Sequence, residues 1–433
     1  MSTAFMTLVA VMVAGLLLRA PIAFSMMCAG IAYLLAKGQD LGLAAEQILN
    51  GMYNSYVLLA VPLFIFAANL MNAGTISDRL FDFARVLVGR MRGGLAQVDI
   101  LVSVIFSGMS GSAIADAAGP GLVTIKAMLK KPGYTPGFAG AVVVASATIG
   151  PIIPPSIPMV LYAMSSNTSV GALFLGGIVP GLLVAALLMV AVHFIAVRQN
   201  MPKDDPIPKG QLGGMLLRGL LPLSLPVVLL GGIYSGVFTP TEAAAAASLH
   251  ALLLAGVVYR AFNGRALFAV VLESTRATAV VAMMVAASYV IQYAFTAEGI
   301  PQLLSAWVAS MNLGPTMFLL MVNLVFLVLG CFLDTAVLLL VFVPLMLPTV
   351  TMLGIDLVHF GVMIVVNIMI GLVTPPFGML LFVTSSLTGI RVRELVVEGL
   401  PFLAMLLVAL VLITYVPEIV LWLPQSMGYG LTK

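Results

Sequence analysis

Charge is what this sequence has least of. Lys, Arg, Asp and Glu together make up 8% of the 433 residues, against about 25% in a soluble domain. No water-soluble fold hides the 62% that is hydrophobic. Mean hydropathy is +1.17, and apolar stretches of the roughly 20 residues that cross a hydrocarbon core follow one another along the chain. Cysteine is nearly absent. Cys28 and Cys331 stand far apart inside apolar segments, which excludes a disulfide framework or a thiolate metal site and reads each as a small buried hydrophobe. The histidines, His193, His250 and His359, lie near segment ends with no carboxylate at metal spacing and are read as interfacial. GxxxxGKS/T, HExxH, GxSxG and Cys/His clusters are all missing, so neither P-loop ATP hydrolysis nor intramembrane enzyme chemistry is supported. The chain is read as non-enzymatic and without a cofactor. Its net charge of +3 sits in the joins between apolar stretches, a pattern that reports orientation rather than a nucleic-acid partner. The start, Met-Ser-Thr and then an apolar run, lacks a basic n-region and a cleavage site, and is read as the first span.

What is present is a series of apolar segments at 4–18, 21–36, 56–72, 94–130, 137–165, 172–197, 215–235, 241–260, 274–296, 315–352, 358–388 and 399–423. Segments 94–130 and 315–352 are nearly twice the length one crossing needs. Each is interrupted midway by glycine and polar residues, SGMSGSAIADAAGPG from Ser107 to Gly121 and GCFLDT from Gly330 to Thr335. Basic residues test the layout. With both long segments folded as re-entrant hairpins, every lysine and arginine except Lys37 and Lys433 falls on one side, the cytoplasmic one. An extra crossing at either segment would invert every later loop. The expected fold is an all-α polytopic membrane protein with ten crossings, two hairpins entering from opposite faces and both termini outside. Trp307 and Trp422 fall at outer boundaries, and 299–313 reads as a short helix along the outer surface.

The polar loop 198–214 divides the chain as a flexible cytoplasmic linker. On either side the order repeats: a hairpin, then a span broken by a Pro-Pro pair, GPIIPPS at Gly150–Ser156 in segment 137–165 and GLVTPPFG at Gly371–Gly378 in segment 358–388. The interval from Gly108 to Pro155 matches that from Gly330 to Pro376 to within one residue. The chain is thus divided into a first inverted-topology repeat at 1–197 and a second at 215–433, a layout that carriers use around a mid-membrane site.

Unwound backbone at membrane depth is tolerated only where protein or an aqueous cavity surrounds it. Adjacent prolines leave carbonyls without helical partners. Such oxygens suit a cation like Na⁺, and half-helix N-termini favour an anionic group. Two tips facing two breaks therefore suggest two cation sites. Asp116 and Asp334 are the tip carboxyls, with three roles open: capping the exiting half-helix, coordinating a cation, or compensating charge at a distance. Ser107, Ser110 and Ser112 can cap tip amides or ligate an ion. Thr148, Asn367 and Thr374 are mid-membrane polar residues that either line a substrate path or, for the threonines, bond back to their own helix. Arg276 is the one arginine offered, weakly, as a carboxylate anchor.

The runs GMSGSAIADAAGPG, GPIIPPS, GCFLDT and GLVTPPFGM, in that order, with RAPIAFSM and VPLFIFAANLM before them, resemble the large membrane subunit (DctM type) of the tripartite ATP-independent periplasmic transporters. The resemblance covers essentially the whole chain. It implies an elevator-type carrier in the bacterial inner membrane, importing a carboxylate solute such as a C4-dicarboxylate or sialic acid on a Na⁺ gradient. It also implies a soluble periplasmic substrate-binding protein and a small four-helix membrane subunit on a separate chain. Carried onto this sequence, one Na⁺ lies among Ser107, Ser110, Gly150 and Ile153, mostly through backbone carbonyls. The second lies among Gly330, Cys331, Gly371 and Thr374, with Met379 nearby. A stand-alone Na⁺- or H⁺-coupled symporter of the wider ion-transporter superfamily is the rival reading, and a channel the reading from another class.

Overall fold

The computed structural model describes residues 2–53, 55–73, 76–204 and 207–429, apart from the side chain of Lys209. Lys433, assigned above to the outer side, lies outside the described residues, as does the end of the C-terminus. All regular structure among the described residues is helical. The chain opens with α1 (Thr3–Leu17), α2 (Ile22–Lys37) and α3 (Gly42–Tyr53), and a single turn at Tyr56–Leu59 leads into α4 (Ala60–Ala73) and α5 (Ile76–Val88). Hydropathy alone missed α3 and α5. In α5 the buried Ile76, Leu80 and Ala84 recur every fourth residue while Asp78, Arg79, Asp82 and Arg85 are spread over the rest of the helix. An amphipathic face of this kind buries one stripe without raising the average hydropathy.

The segment read as the first hairpin is α6 (Gly94–Ser110), α7 (Ala113–Asp116), a π-helical turn at Ala117–Gly121 and α8 (Leu122–Leu129). Pro120 inside the turn has no N–H and crowds the carbonyl four residues back, which widens the helix there. The first broken span is α9 (Pro136–Ser146) and α10 (Ile157–Ser166), followed by α11 (Val170–Arg198). After the linker come α12 (Lys209–Tyr234), α13 (Pro240–Leu252), α14 (Gly264–Ala297) and α15 (Ile300–Ser310), the last matching the short helix expected at 299–313. The second hairpin repeats the order of the first: α16 (Pro315–Gly330), α17 (Thr335–Val337), a π-helical turn at Leu338–Phe342, then α18 (Val343–Met352). The second broken span is α19 (Leu357–Gly371) and α20 (Met379–Thr388). Segment 399–423 is not one span. It divides into α21 (Val392–Tyr415) and α22 (Glu418–Ser426), because Pro417 cannot continue α21.

Among the described residues seven helices are long and apolar enough to cross a bilayer, one of them the return arm of the second hairpin at Thr335–Met352, while α1, α2, the entering arms of both hairpins and the pieces of both broken spans are 10–17 residues long. The 34 residues of α14 extend about 51 Å at 1.5 Å per residue. Its two ends carry different company. Before it, Arg79 lies 4.0 Å from the Tyr259 ring, and on the same α5 Arg85 meets Asp204, which also meets Lys131 beyond α8. After it, Glu298 accepts from Lys37 Nζ at 2.6 Å, from Tyr33 Oη at 3.0 Å and from the Ser2 amide at 3.3 Å. Arg79, Arg85 and Lys131 thus lie toward the start of α14, and Lys37 and Ser2 meet the residue that follows its end. Two expectations about burial are corrected. Cys28 is exposed on α2 rather than buried. His359 is buried, its Nε2 2.9 Å from the Ile413 carbonyl of α21, because α19 is enclosed on all sides and its first turn is not an interface.

Candidate functional site at the hairpin tips

The first tip is a change of hand followed by a new cap. Gly111 ends α6 with φ +61, a conformation glycine adopts at least cost. Ser112 then starts α7, accepting a hydrogen bond from the Ala115 amide at 3.3 Å. Asp116, for which capping was one reading, is not the cap. It lies in the helix, 1% exposed, with Oδ2 unpartnered. Ser107 and Ser110 are fully enclosed. The Ser107 hydroxyl donates to the Val104 carbonyl at 2.5 Å, which leaves its lone pairs free.

The first break follows from missing donors. Pro154, Pro155 and Pro158 have no N–H, so the carbonyls of Gly150, Pro151 and Pro154 lose their partners four residues on. The Ser156 hydroxyl takes the Pro151 carbonyl and also caps α10, accepting from the Met159 amide at 3.2 Å. The Gly150 carbonyl receives no main-chain hydrogen bond among the described residues. Tip and break touch backbone to backbone: a Cβ on Gly111 would overlap the Pro155 carbonyl oxygen, and one on Gly150 would stand 3.4 Å from the Ser112 main chain. Ile153 is 8% exposed at the same break.

The second junction has the same construction. A Cβ on Gly371 would lie 2.8 Å from Gly330 Cα, and the Cys331 thiol reaches the Pro375 carbonyl at 3.7 Å. Pro375 and Pro376 free the Gly371 and Leu372 carbonyls from their helical donors, and the amides of Thr374 and Leu380 pick them up at 3.1 and 3.0 Å. Asp334 caps α17, accepting from the Ala336 amide at 2.8 Å. The two tip carboxyls therefore differ in role, since Asp334 is a helix cap and Asp116 is not. Met379 opens α20 and is 37% exposed.

The family profile described as "Tripartite ATP-independent periplasmic transporter, DctM component" matches residues 9–419. The chain belongs to the DctM family. It is similar to the sialic acid TRAP transporter large permease protein SiaM of Vibrio cholerae, at 42% identity over 95% of this chain and 96% of that one. It is also similar to the C4-dicarboxylate TRAP transporter large permease protein DctM of Pseudomonas aeruginosa, at 40% identity over 86% of this chain and 87% of that one. In fold it resembles the YdaH transporter of Alcanivorax borkumensis, whose structure is described as having an unusual topology, with TM-score 0.60 at 17% identity over 85% of this chain and 86% of that one. The protein is thus a multi-pass large permease subunit of a TRAP transporter, and its work is transport rather than catalysis.

Several expected site residues of this permease spend their side-chain donors elsewhere. Thr148 is fully buried and its hydroxyl donates to the Ala145 carbonyl at 2.6 Å, and Thr374 does the same to Ile370 at 2.6 Å, the back-bonding alternative in both cases. Asn367 is enclosed and gives its amide to Asn323 of α16, to the carbonyl at 3.0 Å and to Oδ1 at 2.7 Å. Asn323 in turn donates to Thr414 of α21 at 2.9 Å. Asn367 is therefore a rivet through three helices. Arg276 is exposed on α14, about 24 Å along the helix from Gln292, whose amide meets the second hairpin at the Leu340 carbonyl, 2.7 Å away. Sequence reasoning missed Asn323, Asp204 and Asp99. For Asp99 a signal existed: Asp99, Ser103, Ser107 and Ser110 are spaced four, four and three, one polar stripe on a helix.

The cap at Asp334 yields a clean test. Asp334→Ala is expected to remove about 1 kcal/mol of hairpin stability, and Asp334→Ser, which keeps a capping oxygen without the charge, to restore most of it. Thermal unfolding of the purified variants reads the difference. If serine behaves like alanine, the carboxylate acts through its charge and the capping role is wrong.

Proposed function

We propose that this permease imports an organic acid driven by Na⁺, with one ion at each tip–break junction. The observation that carries the reading is that each hairpin tip lies in backbone contact with its own broken span, Gly111 with Pro155 and Gly330 with Gly371. Ser107, Ser110, Gly150 and Ile153 would hold the first ion. Gly330, Cys331, Gly371 and Thr374, with Met379 beside them, would hold the second. Oxygens at both places are released from helical ladders by proline, and such oxygens replace part of an ion's hydration shell at low cost. Because Thr374 spends its proton on Ile370, its hydroxyl oxygen offers lone pairs to a cation.

The hairpins and broken spans would move as one body against α1–α5 and α12–α14, in an inner membrane with the basic end in the cytoplasm. Sialic acid and C4-dicarboxylates, named for relatives at 42% and 40% identity, set the solute class. A separate small membrane subunit and a periplasmic binding protein would complete the system. The test is uptake into liposomes carrying the complete complex, with binding protein outside and sialic acid or succinate as solute. Uptake is expected to require an inward Na⁺ gradient, with a sigmoidal Na⁺ dependence. Equal uptake with a proton gradient alone overturns Na⁺ coupling, and robust uptake by this chain without partners overturns the tripartite assembly.

A further inference from the structure

Each hairpin carries its π-helical turn one short helix beyond the tip, Ala117–Gly121 in the first and Leu338–Phe342 in the second. In the second, Pro344 has no N–H, so the Leu340 carbonyl lacks a donor four residues on. That donor comes from outside the hairpin. Gln292 of α14 gives an Nε2 proton to the Leu340 carbonyl at 2.7 Å. The neighbouring Leu339 carbonyl is met by the Ser165 hydroxyl of α10, at 3.2 Å, from a broken span. At the first hairpin the side chain that arrives is Asn72, in the last turn of α4. A Cβ on Gly119 would stand 2.4 Å from Asn72 Oδ1, and no donor among the described residues reaches that buried oxygen. The interval from Asn72 to Gly119 matches that from Gln292 to Leu340 to within one residue. Two carboxamides, toward the C-terminal ends of α4 and α14, thus touch corresponding turns of the two hairpins, one through a hydrogen bond and the other through packing alone.

We propose that Asn72 and Gln292 are positioning residues for transport, two latches that hold the hairpins at opposite ends of their travel. The inference rests on the reading above in which hairpins and broken spans move against α1–α5 and α12–α14. In this structure the Gln292 latch is closed and the Asn72 latch is open. Withdrawing Gln292 leaves the Leu340 carbonyl, which Pro344 has already freed, without a donor, so the second contact resists movement. Asn72 Oδ1 is buried without a donor, so the first contact gains from it. The repeats are related by a pseudo-two-fold axis, and exchanging their arrangements gives the opposite-facing state. That exchange closes Asn72 onto the first turn and frees Gln292 from the second.

The chemistry of the contacts suits release in every cycle. A hydrogen bond between uncharged groups is worth far less than a buried ion pair costs to break. Where α12 touches the first hairpin, a Cβ on Gly108 would lie 2.7 Å from Pro226 Cγ, a contact between backbone and an apolar ring that can slide. The carboxamides therefore set where the hairpins stop, and the apolar surface between them sets no stop of its own. The inference does not depend on which ion drives the movement.

Pulsed electron spin resonance on the complete complex in liposomes tests it. Spin labels are placed at Val280→Cys of α14 and Val328→Cys of α16, both exposed, in a Cys28→Ser background because Cys28 is exposed as well. Two label distances are expected, in a ratio that changes when Na⁺ and solute are added. Gln292→Met keeps the length of the side chain and removes its N–H, and is expected to lower the population with this structure's separation by about fivefold or more. Asn72→Ala is expected to raise it. Gly119→Ala should act in the direction of Gln292→Met and lose that effect once Asn72 is also alanine, since the added methyl meets Asn72 Oδ1. A role in folding alone would lower the thermal unfolding midpoint of Gln292→Met and leave its ratio at the wild-type value, and that result overturns the proposal. So does a Gly119→Ala effect that survives the Asn72→Ala change. A single distance in the wild type under every condition overturns the moving-body reading itself, and the latches with it.

Discussion

Alanine at Gly111 is expected to raise the Na⁺ concentration for half-maximal uptake by about tenfold or more, while leaving the protein folded and in the membrane. Two costs combine. The left-handed backbone at φ +61 costs a residue with a Cβ roughly 1–2 kcal/mol. The new methyl must also displace the Pro155 carbonyl oxygen it would overlap. Relief can come only by moving the tip off the break, and each 1.4 kcal/mol lost from an ion site is tenfold in affinity. Gly371→Ala should act alike at the second junction, where the methyl would stand 2.8 Å from Gly330 Cα. Gly236→Ala separates the two costs, because Gly236 has φ +73 with nothing within 4 Å of a Cβ. It should show the backbone cost in thermal stability and an unchanged Na⁺ dependence. If Gly111→Ala transports like Gly236→Ala, the tip–break contact is not where the ion is held.

Removing the Asp204 carboxylate is expected to have the largest effect on stability of any single charge. The Asp204 side chain is 2% exposed, and it meets both Arg85 and Lys131. It lies in the loop read from the sequence as a flexible linker, yet its amide also donates to the Gly89 carbonyl at 3.1 Å. That stretch is therefore pinned to α5 and to the base of the first hairpin. Breaking a buried pair by deleting one partner costs about 3–5 kcal/mol. Partial exposure of Arg85 and Lys131, 29% and 24%, puts Asp204→Ala near the lower figure. The thermal unfolding midpoint should fall clearly. Arg391→Ala is the comparison, since that side chain is 84% exposed in its pair with Glu394 and should cost well under about 1 kcal/mol. Equal shifts for the two variants would show that Asp204 is no more than a surface charge.

Both hairpins, both Pro-Pro breaks and the short helix at 299–313 were legible because each is written in local composition. Length beyond one crossing demands a turn back, and adjacent prolines remove donors whatever surrounds them. The amphipathic α3 and α5 were not legible to hydropathy, since a helix that buries one stripe has an unremarkable average. The second aspartate of the first hairpin could have been found from its spacing with Ser103, Ser107 and Ser110. Asn367 could not have been assigned from sequence, because a mid-membrane asparagine looks the same whether it lines a path or rivets α16 to α19.

The sequence by itself determined that this chain belongs in a membrane, where it doubles back, and where its helices break. Those outcomes depend on the solvation of side chains and on backbone donors, which are properties of each stretch alone. Only the tertiary structure decided that each tip lies on its break, that Ser112 rather than Asp116 caps the first exit, that His359 is enclosed, and that Asp99 and Asp116 are both buried. Those depend on which groups distant in the chain are brought within a few ångströms, where burial, packing and unpaired hydrogen-bonding capacity first acquire a value.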